Sequence, residues 1–531
     1  MERNPARHRV GARSCVAVFL LAAGCATPPP PPAPPPPPTA AYDRAVDDLI
    51  AHYDVPGLAV GVIEHGRVVY TRTAGELVAG GGEPVDRHTL FKIASNSKAM
   101  TAALLARLVE AGKLRWDDPV RKHLPQFRMH DPWVTEHMQV RDLLVHNSGL
   151  PEGGGDLMLW PEPNTFTRAD IIHGLAYLVP AYGFRSGYAY DNLLYVVAGE
   201  VAGAAGGASY EELVRREVFE PLGLDCRVGS WRSAEVGNVA QPHVWEHGVN
   251  VPVRVDGPVV PAITSASAGG IRCSLEAMLA WAQNWLAPTP AQLAWLPEVE
   301  RRELWAARTP MPISERRRAW DHTHYYAYAF GFRLADVDGA WTVSHTGTLM
   351  GMYSAMTLLP DEASGFVLML NGGGGQARAV LNDVLLKQFT APEQGRTVAW
   401  YKEAIETEAA MQGGGSGLPD TSARAPVIAG GLPLGTGIWR DPWFGEVDVC
   451  ARNGRVRFAA AKSPMLTGTV MRVGERYLVD WDDPSVDVEA WLDFSAREDG
   501  TRRLTLAKVD PHADFSFDYE DLDFTRVRDC D

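Results

Sequence analysis

Strand-forming alternation is confined to the two ends of one long region of this chain, and that placement restricts its fold more than any other feature. LAVGVIEHGRVVYTR (58–72) reads as two short strands around a turn at Glu64–Arg67. Helical spacing of apolar residues then takes over at 98–111, 139–146, 168–178, 192–204 and 209–219. Strand patterns return only in YAFGFRLADV (328–337), WTVSHTG (341–347), YSAMTLLP (353–360) and GFVLMLNG (365–372). A helical segment precedes the first strands at 41–55 and another follows the last at 377–389. Early and late strands have to bury their apolar faces against each other. The predicted architecture is therefore α+β: one antiparallel sheet built from both ends, flanked by helices, with a helical subdomain inserted between them.

Beyond residue 390 the character changes. Residues 391–431 read as a linker, since GGGSGLPDTSARAP (413–426) is rich in Gly, Ser and Pro. Residues 432–527 read as a separate small all-β domain, with Asn453-Gly454 inside EVDVCARNGRVRFAA as a hairpin turn. At the other end, Arg3, Arg7, Arg9 and Arg13 precede the short apolar core CVAVFLLAAG, so residues 1–24 read as an export signal. Leu21-Ala22-Ala23-Gly24-Cys25 resembles the lipobox of bacterial lipoproteins, with the leucine one position further from the cysteine than usual. Cys25 is the expected lipid acceptor, and a plain secretory signal is the alternative. The proline run at 28–38, within a spacer at 25–41, prefers an extended polyproline rod of ~34 Å, at about 3.1 Å per residue. The expected location is the bacterial periplasm, held to a membrane through Cys25.

The formal net charge is −15, and loss of residues 1–24 removes four arginines and one glutamate, leaving −18. So acidic a chain, with no basic cluster, excludes nucleic acid as the expected partner. No internal stretch has the apolar length of a spanning helix. Cys226, Cys273, Cys450 and Cys530 remain after the signal and the lipid acceptor are set aside. Cys226 with Cys273 and Cys450 with Cys530 are two candidate pairs among three connectivities that stay open. No metal or cofactor is expected: there is no Cys-x-x-Cys or His-Glu-x-x-His, and Asp321-His322-Thr323-His324 reads as a solvated loop.

FKIASNSKAM (91–100) carries the candidate chemistry. Residues three apart share a helix face, so Ser95 and Lys98 can meet, whereas Ser97 points about 100° away. A serine hydroxyl is a weak nucleophile until a neighbour accepts its proton, and a buried lysine of lowered pKa can do so. A lone Ser-x-x-Lys arises by chance in a chain of this length, and Ser95 could equally cap a helix.

The order of blocks removes that ambiguity. FKIASNSK, LLVHNSGLP (143–151), YAYDNLLYVVAGEV (188–201), ASAGGIRCSLEAMLAW (266–281) and SHTGTLMGMYSAMTLLP (344–360) follow one another. Over about 42–390 the chain resembles the serine β-lactamase/penicillin-binding-protein superfamily, in the branch of class C-like enzymes, D-amino-acid-specific peptidases and esterases. The resemblance implies a β-lactamase-like fold with Ser95 as the acylated serine, Lys98 as its partner and Tyr190 as a general base kept partly ionised by Lys98. Asn192 would bond Lys98 and the substrate amide. His345, Gly347 and Thr348 would line the substrate, with the Ser95 and Thr348 amides forming the oxyanion hole. Asp191 departs from the family's small polar residue and adds a negative charge unless it faces out. His146 is implied as part of a structural turn.

Many lactam-recognising members have lysine where this chain has His345. Without that fixed cation a β-lactam carboxylate should be held less well, and His345 should help acidic substrates only below about pH 6.5. The expected function is an exported serine hydrolase of esters, amides or peptides, of the esterase or D-amino-acid peptidase type. The alternatives are a β-lactamase or DD-peptidase and, in another class, a non-catalytic envelope binding protein that kept the fold. The terminal domain fits a lid, a specificity wall or an interaction surface.

Overall fold

The computed structural model describes residues 39–411 and 418–530. The export signal 1–24, the lipid acceptor Cys25 and the proline run lie outside the described residues. An eight-stranded antiparallel sheet forms the body, in the order 309–310, 326–328, 333–337, 340–349, 352–359, 364–370, 57–64, 67–75. Strand Gly57–Glu64 sits between its hairpin partner Arg67–Gly75 and the late strand Ser364–Leu370, with Leu58 opposite Leu370 and Val62 opposite Phe366. Chain ends brought together in this way account for the alternation at both ends of the region.

Side chains of that central strand divide by parity. Leu58, Val60 and Val62 join Leu368, Leu370, Val380 and Leu385 in one core, under helices Ala40–Tyr53, Gly374–Thr390 and Val398–Met411. Ala59 and Ile63 face the opposite core. Helix Leu275–Leu286 packs there so closely that a Cβ on Gly61 would lie 2.7 Å from Leu279. The helical insertion stacks on this second face. Its two principal helices, Ser97–Glu110 and Leu193–Gly206, are buried almost all round, as interior helices must be when apolar residues cover every side.

Beyond residue 390 one expectation needs revision, and the expected all-β domain is present. Part of the segment 391–431, expected as a linker, is helix: Val398–Met411 buries Val398 and Tyr401 against the sheet core. The terminal β-region is a closed barrel of eight strands, because Thr467–Val473 pairs with both Arg455–Ala460 and Arg476–Trp481. Trp439, Val447, Phe458, Leu492, Leu504 and Phe524 are buried in it, which suits the narrow bore of an eight-stranded barrel. Asn453 and Gly454 both take positive φ, 52° and 78°, as the tight hairpin turn between its second and third strands requires. Barrel and body belong to one compact unit from Thr39 onward.

Both candidate cysteine pairs are disulfides, Cys226–Cys273 and Cys450–Cys530. The first joins the short strands Cys226–Arg227 and Arg272–Cys273 beside Phe91–Lys92, just upstream of the nucleophile turn. The second ties barrel strand Gly445–Arg452 to the end of the chain. Among the described residues no helix is long and apolar enough to cross a membrane. Replacing Cys450 and Cys530 by alanine is expected to lower stability by about 2–4 kcal/mol through release of chain-closure entropy. Calorimetry reads the change, and an unaltered Tm would mean that the covalent tie adds nothing to the barrel.

Candidate active site

Ser95 sits in a single 3₁₀ turn, Ala94–Asn96, that runs directly into helix Ser97–Glu110. The turn is strained and pinned. Ala94 is in the left-handed region at φ 47°, which costs a residue with a Cβ about 1–3 kcal/mol. Ser354 on the neighbouring sheet donates its hydroxyl to the Ile93 carbonyl at 2.7 Å and accepts from Asn96 Nδ2 at 2.8 Å. The serine is thereby held between sheet and helix.

Lys98 is wholly buried. Its Nζ lies 3.2 Å from Ser95 Oγ, 2.7 Å from Asn192 Oδ1 and 2.9 Å from the Ala268 carbonyl. Burial drives its pKa down to about 7, and the carboxyls of Asp156 and Asp191 keep it from falling further. The Ala268 and Asn192 oxygens can only accept. A neutral Lys98 amine therefore spends its hydrogens on them and turns its lone pair to the Ser95 hydroxyl, the arrangement a base needs.

Tyr190 lies on the same side, with its phenol beside Ser95 and its ring centre 4.8 Å from Lys98 Nζ. Burial raises its pKa above the normal tyrosine value, against an opposing pull from Arg333. This corrects the expectation of a partly ionised phenol. Tyr190 stays protonated, and the amine of Lys98 is the group poised near neutrality.

Behind this trio a hydrogen-bonded chain runs inward. Asn192 Nδ2 donates to Asp156 Oδ2 at 2.8 Å, so Asn192 positions Lys98 from behind. Asp191 faces in, buried, and accepts from the Ser148 hydroxyl and the Leu194 amide at 3.0 Å each, anchoring the start of helix Leu193–Gly206. His146 has φ 55° and accepts the Asp191 amide at Nδ1, a structural role at a turn.

His345 is also corrected. It is fully buried, with Nδ1 2.7 Å from the Thr346 carbonyl and Nε2 2.8 Å from the Tyr328 hydroxyl. A carbonyl only accepts, so Nδ1 carries the hydrogen and Nε2 receives the Tyr328 hydroxyl; both nitrogens are spent inside the protein. Burial, with Arg333 and Lys98 nearby, holds its pKa well below the usual histidine value. It does not become the cation that acidic substrates would meet below pH 6.5.

The fixed cation comes from a residue that sequence reasoning passed over. Arg333, opposite Ser344 on the adjacent strand, donates Nη1 to Thr346 Oγ1 at 2.8 Å and lies within electrostatic range of Tyr190, Lys98 and His345. Pairing with that adjacent strand stops at Ser344, so residues 345–349 keep one edge free while the other pairs with Met352–Leu359. Gly347 is needed for close approach to the nucleophile: a Cβ there would stand 2.2 Å from the Ile93 carbonyl oxygen. The exposed Thr348 accepts Arg378 Nη1 at its hydroxyl, 2.6 Å away.

The barrel reaches the site as well. Ser516 donates its hydroxyl to Asp156 Oδ2 at 2.9 Å, and Asp518 accepts the Gly155 and Leu157 amides at 2.5 and 3.0 Å. Phe515 sets its ring edge-on to Tyr190, 6.0 Å between centres. Asp156, Ser354 and Ser516 carry no local signal, because each acts across a long stretch of sequence. Among the described residues no cluster of three or more His, Cys, Asp or Glu is placed to hold a metal.

Comparison with known proteins identifies the family and the fold. A family model described as Beta-lactamase matches residues 42–389, and one described as Domain of unknown function (DUF3471) matches 436–526. Unguisins hydrolase ungD′ of Aspergillus campestris is 24% identical over 62% of this chain and 61% of its own length, and a second fungal unguisins hydrolase is matched over 33% of its length. The chain thus spans less than two thirds of these two relatives. Penicillin-binding protein 4 of Amycolatopsis lactamdurans is 26% identical over 63% of this chain and 85% of its own. Esterase EstB of Burkholderia gladioli is 33% identical over 42% and 58%. The octameric penicillin-binding protein homologue from Pyrococcus abyssi has the same fold, with a TM-score of 0.57 at 18% identity, covering 88% of this chain and 97% of that one.

If Lys98 is the base, kcat/KM rises with pH through about 7, the value at which its amine loses the proton. Asp191→Asn removes one carboxyl that favours the ammonium and should move this limb to lower pH. A limb that stays in place would exclude Lys98. Separately, Gly347→Ala should cost about 1–3 kcal/mol from overpacking and reduce kcat more than tenfold; an active, equally stable variant would show that strand and nucleophile turn can separate freely.

Proposed function

This chain belongs to the Beta-lactamase family, and from that premise we propose that it is a serine hydrolase that turns over an ester, amide or peptide through an acyl-enzyme on Ser95. The observation that carries the proposal is the wholly buried Lys98 amine, poised near neutrality 3.2 Å from the Ser95 hydroxyl.

Ser95 Oγ attacks the substrate carbonyl while its proton passes to Lys98. The negative oxygen that forms is received by the Ser95 and Thr348 amides. As the tetrahedral species collapses, the Tyr190 hydroxyl gives its proton to the leaving group and is refilled from Lys98. Water then releases the acyl group by the reverse sequence. The free edge of 345–349 supports an extended substrate laid alongside it as an added strand. Phe515 and Ser516, brought in by the barrel, support the specificity-wall reading of that domain. The sequence at residues 1–25 supports export and anchoring at Cys25.

A fluorophosphonate probe should label the wild type and not Ser95→Ala; equal labelling removes the nucleophile. On one purified sample, p-nitrophenyl esters and D-amino-acid peptides should be turned over faster than nitrocefin, while the reverse order would favour the β-lactamase alternative. If Phe515 walls the site, Phe515→Ala should change KM for bulky acyl donors several-fold with little effect on short ones. A uniform response across donors would reject that role.

A further inference from the structure

Hydrogen bonds run without a break from the barrel to the nucleophile. Ser516 donates its hydroxyl to Asp156 Oδ2 at 2.9 Å, and Asn192 Nδ2 donates to the same oxygen at 2.8 Å. Lys98 Nζ is 2.7 Å from Asn192 Oδ1, with Ser95 Oγ 3.2 Å beyond it. Asp156 is fully buried, and its other oxygen, Oδ1, has no hydrogen-bond partner. Among the described residues its carboxyl therefore has two hydrogen bonds, one of them from a residue 360 positions away. That contact is fixed from both sides. Asp518 accepts the amides on either side of Asp156, and a Cβ on Gly153 would stand 2.6 Å from the Phe515 carbonyl oxygen. The Ser516 amide is tied to Asp514 Oδ1 at 2.9 Å.

A carboxyl so enclosed is close to losing its charge. Burial pushes Asp156 well above the usual carboxylate range, and Asp191 adds to that push, while Asn192, Ser516 and Lys98 act the other way. Asp518, from the barrel, is itself raised by burial, by Asp521 and by Asp156. Around Lys98, burial and Arg333 oppose the ammonium, and Asp156 and Asp191 favour it. The other titratable groups facing Lys98 are neutral. Tyr190 and Tyr195 are phenols raised by burial, with ring centres 4.8 and 5.1 Å from Nζ. His146 and His345 are imidazoles lowered by burial. Of the two carboxyls, Asp191 is bonded within the body, by Ser148 and Leu194, whereas Asp156 depends on the barrel.

We propose that Ser516 is a positioning residue for the acyl transfer, contributed by the barrel: its hydroxyl holds Asp156 behind Asn192 and biases that carboxyl toward its charged form, and the charge strengthens Lys98 as a base. As Ser95 Oγ bonds to the substrate carbonyl carbon, its O–H bond breaks and the proton passes to the Lys98 lone pair. The ammonium so formed gains from the carboxylate behind Asn192. This rests on the serine-hydrolase reading and adds to it a part for the terminal domain in the chemistry, distinct from any contact it makes with substrate.

Without the Ser516 hydroxyl, Asp156 keeps a proton more readily, so Lys98 becomes easier to deprotonate and weaker as a base. Ser516→Ala should move the acid limb of kcat/KM for a p-nitrophenyl ester down by about 0.5 pH unit and lower kcat several-fold with KM nearly unchanged. Ser516→Thr keeps a hydroxyl and should restore both. Ser516 is only half-buried, so these variants leave the core intact. Asp156→Asn should move the limb down by about one unit, and adding Ser516→Ala to it should move it no further, because the effect runs through Asp156. The Lys98 ammonium is titrated in parallel by NMR, in full-length protein labelled with 13C at lysine Cε, and should shift as the limb does. That titration needs no turnover, so a protein whose serine resists fluorophosphonate still decides the proposal. A Lys98 titration unmoved by Ser516→Ala, a shift that threonine does not restore, or a further shift in the double variant overturns it.

Discussion

Everything in the site is arranged around one unfavourable act, the burial of a lysine amine in the first turn of a mostly buried helix. An ammonium taken from water without partners is too costly to keep, so the structure offers it acceptors and lets its pKa fall. The Ala268 carbonyl and the Asn192 carboxamide give two fixed acceptors, and Asp156 and Asp191 supply negative charge at a distance. Helix Leu193–Gly206, the turn Asp156–Met158 and the short helix Ala266–Gly269 thus converge on one nitrogen. The geometry that makes Lys98 tolerable also makes it reactive.

The parts of this arrangement that were legible in the sequence are those fixed by local spacing. Ser95 and Lys98 meet because helical residues three apart share a face, and Tyr190 and Asn192 enter together because they adjoin one helix start. The body sheet was readable because period-two patterns at 58–72 and 328–372 have only each other to pair with. Barrel closure was not, since it depends on Thr467–Val473 having two neighbours, which alternation alone does not reveal.

Charge was misread where register decides it. From the sequence, His345 stood where relatives carry a cation, and the site looked short of one. The ladder places Arg333 opposite Ser344, so an arginine from another strand comes up beside Thr346. No motif spacing encodes that adjacency. Tyr190 was misjudged for a related reason: a neighbouring lysine favours a phenolate only if the pair is not desolvated, and here burial outweighs attraction for both groups.

The segment carrying Phe515, Ser516 and Asp518 is strung between two barrel strands, Arg502–Lys508 and Asp523–Arg528. A chain cut before the barrel would strip the Gly155 and Leu157 amides of their acceptor and Asp156 Oδ2 of one of its two donors, next to the carboxamide that holds Lys98. What looks like a detachable module in the order of domains is, at the level of hydrogen-bond accounting, the last wall of the catalytic chamber. Body and barrel therefore complete the site together.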